Sequence, residues 1–288
     1  MKNYKSLKDL TNKVVLITGA SGGLGEQIAY QVAKKGAIVV ACARRKEKLD
    51  VVVENCQNLS KRLAYAYQLD ISKPEEVEKV VNEVEEEVGP VSVLINNAGY
   101  GSYGVIENVS IEEARNQFEV NLFGLARLVQ LVLPHMRKNK TGKIINISSM
   151  AGRVTTYMGA WYHATKYALE AFSDALRMEA KPFGIDVVIV EPGGIKTNWG
   201  IIAAQHLKES SKGTDYEEEA NRAAERMHKS YTSDRLSNPK LIAETIVKAV
   251  NSKQPKTRYL VGYGAKASVF FHMVLPTRLF DRVIKNVV

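Results

Sequence analysis

The chain has 288 residues, 45% of them hydrophobic, enough to bury one sizeable core and short for two independent domains. Its formal net charge is +9, yet seven Lys/Arg against one Asp from residue 251 onward put +6 in the last 38 residues and leave +3 for the first 250. That distribution is not a basic stripe along a groove-entering helix, which argues against a nucleic-acid partner and leaves an anionic membrane surface or an acidic substrate open for the tail. No apolar run reaches the roughly 20 residues needed to span a bilayer. The opening MKNYKSLKDL is polar, and Cys42 and Cys56 lack C-x-x-C spacing, so a soluble protein of the reducing cytoplasm is expected.

In chain order, short β-branched runs alternate with long amphipathic stretches. The runs are VVLIT at 14–18, IVVACA at 38–43, a weaker strand at 63–69, VSVLIN at 91–96, KIINIS at 143–148, DVVIVE at 186–191 and a last strand at 258–261. Continuous apolar strands are buried on both faces, and the helices between them make right-handed crossovers. The pattern predicts an α/β fold: a single-domain, Rossmann-type, doubly wound parallel sheet of about seven strands with helices on both faces. Ser72 with Glu75, and Ser110 with Glu113, have capping-box spacing and mark two helix starts. From Pro192 onward the alternation breaks at Gly193-Gly194, at Trp199-Gly200 and in a charged run. Such sheets place ligands beyond their strand ends, so residues 192–230 are expected to form a substrate lid. On this reading residues 1–262 carry the catalytic unit and 263–288 an added helical tail.

VVLIT leads directly into Gly19-Ala20-Ser21-Gly22-Gly23-Leu24-Gly25 and then a helical stretch. Glycines there permit a tight turn, close backbone approach to a pyrophosphate and close packing of helix on strand, while the helix N-terminus offers free amides. An ordinary glycine-rich turn is the plain alternative; its place after a buried first strand favours the nucleotide. The second strand ends Ala43-Arg44-Arg45, without the carboxylate that binds the ribose hydroxyls in NAD enzymes. Guanidinium groups offer fork-shaped donors to a 2′-phosphate, so NADP(H) is expected over NAD. Of the two arginines, Arg45 reads as the more expendable.

Tyr162-His163-Ala164-Thr165-Lys166 opens a helical pattern, setting Tyr162 and Lys166 one turn apart on one face and turning His163 away from it. An ammonium beside a phenol lowers its pKa from near 10, and the tyrosine can then exchange a proton with a substrate oxygen while a nicotinamide exchanges the hydride. This spacing alone is common. It gains weight from Asn96-Asn97-Ala98-Gly99 after the fourth strand, Asn121 in the next helix, Ser148-Ser149 ending the fifth and Pro192-Gly193 with Thr197 after the sixth, all at one edge of the sheet. TGASGGLG, NNAG, Asn121, Ser149, YHATK and PGGIKT, in this order between about residues 12 and 260, resemble the short-chain dehydrogenase/reductase family.

The resemblance implies that Ser149 holds the substrate oxygen, Tyr162 is the general acid/base, Lys166 binds the nicotinamide ribose and depresses the tyrosine's pKa, and Asn121 holds a water leading to solvent. It also implies cofactor contacts from Gly19, Ser21, Gly22, Gly23, Leu24 and Gly25, from Asp70 toward adenine, from Asn97, Ala98 and Gly99 on the adenosine side, and from Pro192, Gly193, Ile195 and Thr197 around the nicotinamide and its phosphate. Gly22 stands where many relatives have Ser. Adjacent serines at a strand end face opposite ways, and spacing to Tyr162 selects Ser149 over Ser148; Asn96 reads as structural. A homodimer or homotetramer through helices at 111–138 and 161–182 is implied as well. The five histidines show no ligand spacing, so no metal is expected.

Tyr100, Tyr103, Met150, Val154, Tyr157, Met158, Trp199, Ile201 and Ile202 are expected around the substrate, which suggests a hydrophobic ketone, aldehyde or secondary alcohol. In the tail, Leu279, Phe280, Val283, Ile284 and Val287 share one helical face, with Arg278, Arg282 and Lys285 opposite. Such a helix docks on the body or a partner subunit, or lies on a membrane surface. A non-catalytic NADP(H)-binding sensor is the competing reading, but sensors of this fold typically lose the tyrosine or lysine. An extended nucleotide-sugar epimerase would carry G-x-x-G-x-x-G and a larger substrate domain.

Overall fold

The computed structural model describes residues 10–285. Seven strands, β1 (Val14–Thr18), β2 (Ile38–Ala43), β3 (Ala64–Gln68), β4 (Val91–Asn96), β5 (Gly142–Ile147), β6 (Ile185–Pro192) and β7 (Arg258–Val261), form one sheet in the order β3-β2-β1-β4-β5-β6-β7. Every pairing is parallel. The strands lie within a residue or so of their sequence-predicted positions; β1, β2, β4, β5 and β6 are largely buried on both faces, while the edge strands β3 and β7 are only partly buried. Along β1, Val15 and Ile17 enter a core shared with α1 (Gly23–Ala33), α2 (Lys46–Ser60) and α9 (Pro239–Asn251). Val14 and Leu16 enter the opposite core, against α3 (Pro74–Glu87), α5 (Gly124–Asn139) and α6 (Ala160–Ala180). This period-two division is what a doubly wound sheet requires. The strand order reverses on either side of β1, and the crevice at the C-terminal ends of β1 and β4 is the switch point where ligands bind in such sheets.

The Ser110 cap forms as expected, its Oγ accepting from Glu113 N at 3.1 Å at the start of α4 (Ile111–Phe118). The Ser72–Glu75 box does not. Ser72 N and Oγ both donate to Asp70 Oδ1 (3.1 and 2.7 Å), Asp70 N donates to Glu76, and α3 begins at Pro74, whose fixed φ suits a first helical position. α4 continues into α5 through a widened π turn at Glu119–Phe123, a local expansion frequent at functional sites; Asn121 sits in it. After β6 come α7 (Trp199–Ser211) and α8 (Glu217–Tyr231), packed through small residues including Ala203, Ala204, Ala220, Ala223 and Ala224.

The tail is two helices, α10 (Ala265–Val274) and α11 (Thr277–Ile284), broken at Leu275-Pro276. Its expected apolar face divides. Phe280, with Ile284, packs toward Val154, Val269, Leu260 and Leu275, whereas Leu279 and Val283 face solvent. Val287 lies outside the described residues. No helix among the described residues is long and apolar enough to cross a membrane. Cys42 and Cys56 are free and buried, and burial pushes both thiols up to about 12.

Candidate active site

A cleft of about 900 Å³ runs along the C-terminal ends of β1, β4, β5 and β6. At one end lies the glycine loop. Gly19 has a left-handed φ of +66°, and a Cβ there would stand 2.9 Å from the Ala98 backbone; at Gly25 it would stand 2.3 Å from Gly19 O. Close packing of α1 on the loop therefore requires glycine at both positions. Thr18 and Asn97 stitch the loop to β4: Asn97 N and Ala98 N donate to Thr18 Oγ1 (3.0 and 2.9 Å), and Asn97 Nδ2 donates to Thr18 O and Gly19 O (3.0 and 3.3 Å). No side chain caps α1, so its first amides remain available to an anion. Gly19, Ser21, Gly22, Gly23, Leu24, Gly25, Asn97, Ala98 and Gly99 all line the cleft.

The two arginines exchange places relative to expectation. Arg45 lines the cleft, its Nε and Nη2 donating to Ser21 Oγ at 3.3 and 3.0 Å. Arg44 is not among the lining residues; its charge bears on Asp70 and Tyr100. Asp70 does not line the cleft either. Burial pushes its carboxyl up, but the two Ser72 hydrogen bonds and the charges of Arg44 and Lys73 outweigh this and hold it below its usual range.

At the other end, α6 presents Tyr162 and Lys166, both buried. Lys166 Nζ donates to Ile147 O (3.0 Å) and lies 5.9 Å from the Tyr162 ring centroid. Burial pulls its ammonium down to about 8, opposed by the charge of Glu170 one turn on. Tyr162 departs from expectation. Burial pushes its phenol above the ordinary value and outweighs the opposing hydrogen bond to Ser149, and the lysine, set beside the ring, does not reverse this. The enclosure comes from remote segments: ring centroids of Trp199 and Tyr103 stand 5.0 and 6.1 Å from that of Tyr162, and Trp199 stands 5.8 Å from Tyr231. Trp199 seats on Gly101, where a Cβ would meet its indole at 2.2 Å.

Ser148 and Ser149 both line the cleft. Ser149 Oγ accepts from Ala151 N (3.1 Å) and lowers the Tyr162 phenol, whereas Ser148 is buried and its hydroxyl lowers the Glu170 carboxyl. Asn121 clamps the loop after β4: its Oδ1 accepts from Tyr100 N (3.0 Å) and its Nδ2 donates to Tyr100 O and Thr165 Oγ1 (2.9 and 3.0 Å). A Cβ on Gly99 would stand 3.0 Å from Asn121 Oδ1 and 3.7 Å from Lys166 Nζ, so this glycine leaves room between them. His163 is tied by Nδ1 to Ala151 O (3.0 Å) and by Nε2 to Thr156 N (3.0 Å); both ring nitrogens are engaged. Asn96 is buried and donates to Asn146 (2.9 Å), away from the chemistry.

Pro192, Gly193, Ile195 and Thr197 line the cleft between its ends, and Tyr100, Tyr103, Met150, Val154, Trp199 and Ile202 are also on its wall. Tyr157, Met158 and Ile201 are not: Tyr157 lies under Lys285, 4.7 Å from its ring centroid, and Met158 is buried beside Tyr103. Tyr231, Ser268 and Ile284 line the cleft without having been anticipated. For Tyr231 a signal existed, since Ala220, Ala223, Ala224, Met227 and Tyr231 form one helical stripe.

The family model for short chain dehydrogenase matches residues 13–206. A "probable short-chain type dehydrogenase/reductase" of Helicobacter pylori is 35% identical over 278 residues, covering 96% of this chain and 97% of that protein. An "NADPH-dependent 3-dehydrocapnine reductase" of Ornithobacterium rhinotracheale is 35% identical over 285 residues, covering 94% of this chain and 95% of that protein. Among solved structures, a short-chain dehydrogenase from Sphingobium yanoikuyae in complex with NADPH superposes with a TM-score of 0.70 at 27% identity, covering 85% of this chain and 87% of that one. The chain belongs to the short-chain dehydrogenase/reductase family of oxidoreductases.

Proposed function

We propose that this protein is an NADP(H)-dependent oxidoreductase that interconverts a hydrophobic ketone or aldehyde and its alcohol, with Tyr162 as the acid/base. The observation that carries the reading is the single cleft joining an uncapped, glycine-lined helix N-terminus to Tyr162, Lys166 and Ser149. The residues present fit a dinucleotide: Gly19, Gly22, Gly23, Gly25 and Gly99 line the cleft without side chains, Arg45 borders the phosphate end, and the lysine stands at the opposite one. Bound there, NADPH supplies the hydride.

The chain's own residues manage the proton. Ser149 orients the substrate oxygen toward Tyr162. The buried phenol, held above its ordinary pKa, carries its proton at neutral pH and can donate it from Oη to a carbonyl oxygen as the hydride arrives. Lys166 then balances the charge left on the phenolate. Asn121 fixes the backbone of Tyr100 and thereby the floor beneath the lysine. Trp199, Tyr103 and Tyr231 exclude water and offer an apolar wall, which selects substrates by shape and burial. Residues 192–230 act as the lid, and exposed Phe123, Tyr167 and Met178 support pairing of copies across the α4–α5 and α6 faces.

The test is to mix the full chain with NADPH and a series of apolar ketones. Loss of NADPH absorbance that depends on the ketone, and is much slower with NADH, is the expected outcome. Cofactor binding with no turnover of any carbonyl compound would favour a sensor instead.

A further inference from the structure

The two tail helices present large apolar side chains to solvent. On α10, Phe270, Phe271, Met273 and Val274 are between 50% and 71% exposed, and on α11 Leu279 and Val283 are 44% and 48% exposed. Lys266, Phe270, Met273 and Val274 follow one helical face, while Leu279 and Val283 stand one turn apart beside Arg278 and Arg282. Only Ala265, Val269 and Phe280 are buried among the described residues of these helices. Contiguous apolar exposure of this kind marks an interaction site. Its rim carries Lys266, Arg278 and Arg282 against Asp281, with Lys285 paired to Glu219 of α8.

The position of this face matters as much as its chemistry. Ser268 of α10 and Ile284 of α11 line the same cleft as Tyr231 and Tyr162, so the helices that carry the apolar face also form part of the cleft wall. Lys285 ties the end of the tail to α8 through Glu219 at 2.7 Å, holding tail and lid together.

We propose that this face docks on an anionic lipid surface, setting the exposed α10 and α11 side chains into the headgroup boundary so that an apolar substrate passes from the bilayer into the cleft beside Ser268 and Ile284. Amphipathic helices with an apolar face and basic flanks bind such surfaces through combined burial and electrostatic attraction. A second copy of the chain is the poorer occupant, because a two-fold contact would bring the same basic rim against itself. The inference rests on the proposed function only in taking the substrate to be apolar; docking itself is read without cofactor.

The test is flotation of the full chain with vesicles of phosphatidylcholine alone and of phosphatidylcholine mixed with phosphatidylserine. The protein should float with the anionic vesicles, less so as salt rises, with each basic residue contributing about fivefold to partitioning. The combined variant Phe270→Glu, Phe271→Glu and Met273→Glu should reduce this binding more than about tenfold while leaving NADPH titration unchanged. Leu63→Glu, at another exposed apolar position, should alter neither. Absence of flotation with anionic vesicles, or equal flotation of the combined variant, overturns the proposal. So does a fall in solution mass on making the combined variant when neither protein binds vesicles, which would assign the face to a contact between copies. Vesicle binding without NADPH binding would sink the proposed function and leave the docking intact.

Discussion

Removal of the Arg45 side chain should separate the two nicotinamide cofactors. In the structure the guanidinium spends two N–H groups on Ser21 Oγ and borders the cleft beside the glycine loop, with further donors among its five. A 2′-phosphate held there would gain charge-assisted hydrogen bonds worth about 1.5–3 kcal/mol each. Because Arg45 is solvent-exposed, screening reduces the sum of two such bonds to about 2–3 kcal/mol. Arg45→Ala should therefore weaken NADPH binding about 30- to 150-fold and change NADH binding little, as read by calorimetric titration. Arg44→Ala should have the smaller effect, since Arg44 lies off the cleft and toward Asp70. A larger loss from Arg44→Ala, or equal loss of both cofactors from Arg45→Ala, would refute this placement of the phosphate.

Two further substitutions read the packing and the buried charges. Gly25→Ala places a Cβ 2.3 Å from Gly19 O and 2.6 Å from Asn97 Nδ2 and should cost about 1–3 kcal/mol of stability together with most cofactor affinity. Gly22→Ala, whose nearest neighbour would be 3.7 Å away, should cost less than about 1 kcal/mol; equal urea midpoints for the two variants would contradict the loop geometry. Glu170 is buried against Arg258 (3.1 Å), and burial pushes its carboxyl up to about 7. Since the folded-state value is raised, stability from the protonated form is fully present below 4.5 and lost as pH rises through about 7, on the order of 3 kcal/mol at most. Glu170→Gln should flatten that part of the decline in urea midpoint between about pH 5 and pH 8; an unchanged slope would assign it to other groups.

The central strands were legible because β1, β2, β4 and β6 read as apolar runs between helical stretches, and the site followed from the strand ends, since Gly19, Asn97, Ser149 and Pro192 all sit there on one edge. What depended on chain direction through a single residue was not legible. Arg45, extended at the start of α2, turns back to Ser21 where spacing alone favoured Arg44, and Asp70 turns to Ser72 because its carboxylate makes a local turn with two nearby donors. The Tyr162 phenol sits above, not below, its ordinary pKa because Trp199 and Tyr103 converge on it from distant parts of the chain, which the four-residue spacing to Lys166 does not encode. The tail breaks into two helices at Leu275-Pro276, and within α11 Phe280 and Ile284 pack inward while Leu279 and Val283 stay outside.

The proton at Tyr162 Oη is tested most directly by single-turnover oxidation of NADPH with an apolar ketone in Tyr162→Phe, with NADPH affinity measured on the same preparation. If Tyr162 donates the proton, hydride transfer falls about 10²- to 10⁴-fold while NADPH affinity stays within about threefold of the parent, because the phenol contributes to the proton and not to the dinucleotide's phosphates. Transfer at the parental rate, or a loss of NADPH binding that matches the loss of transfer, would contradict a catalytic role for this residue.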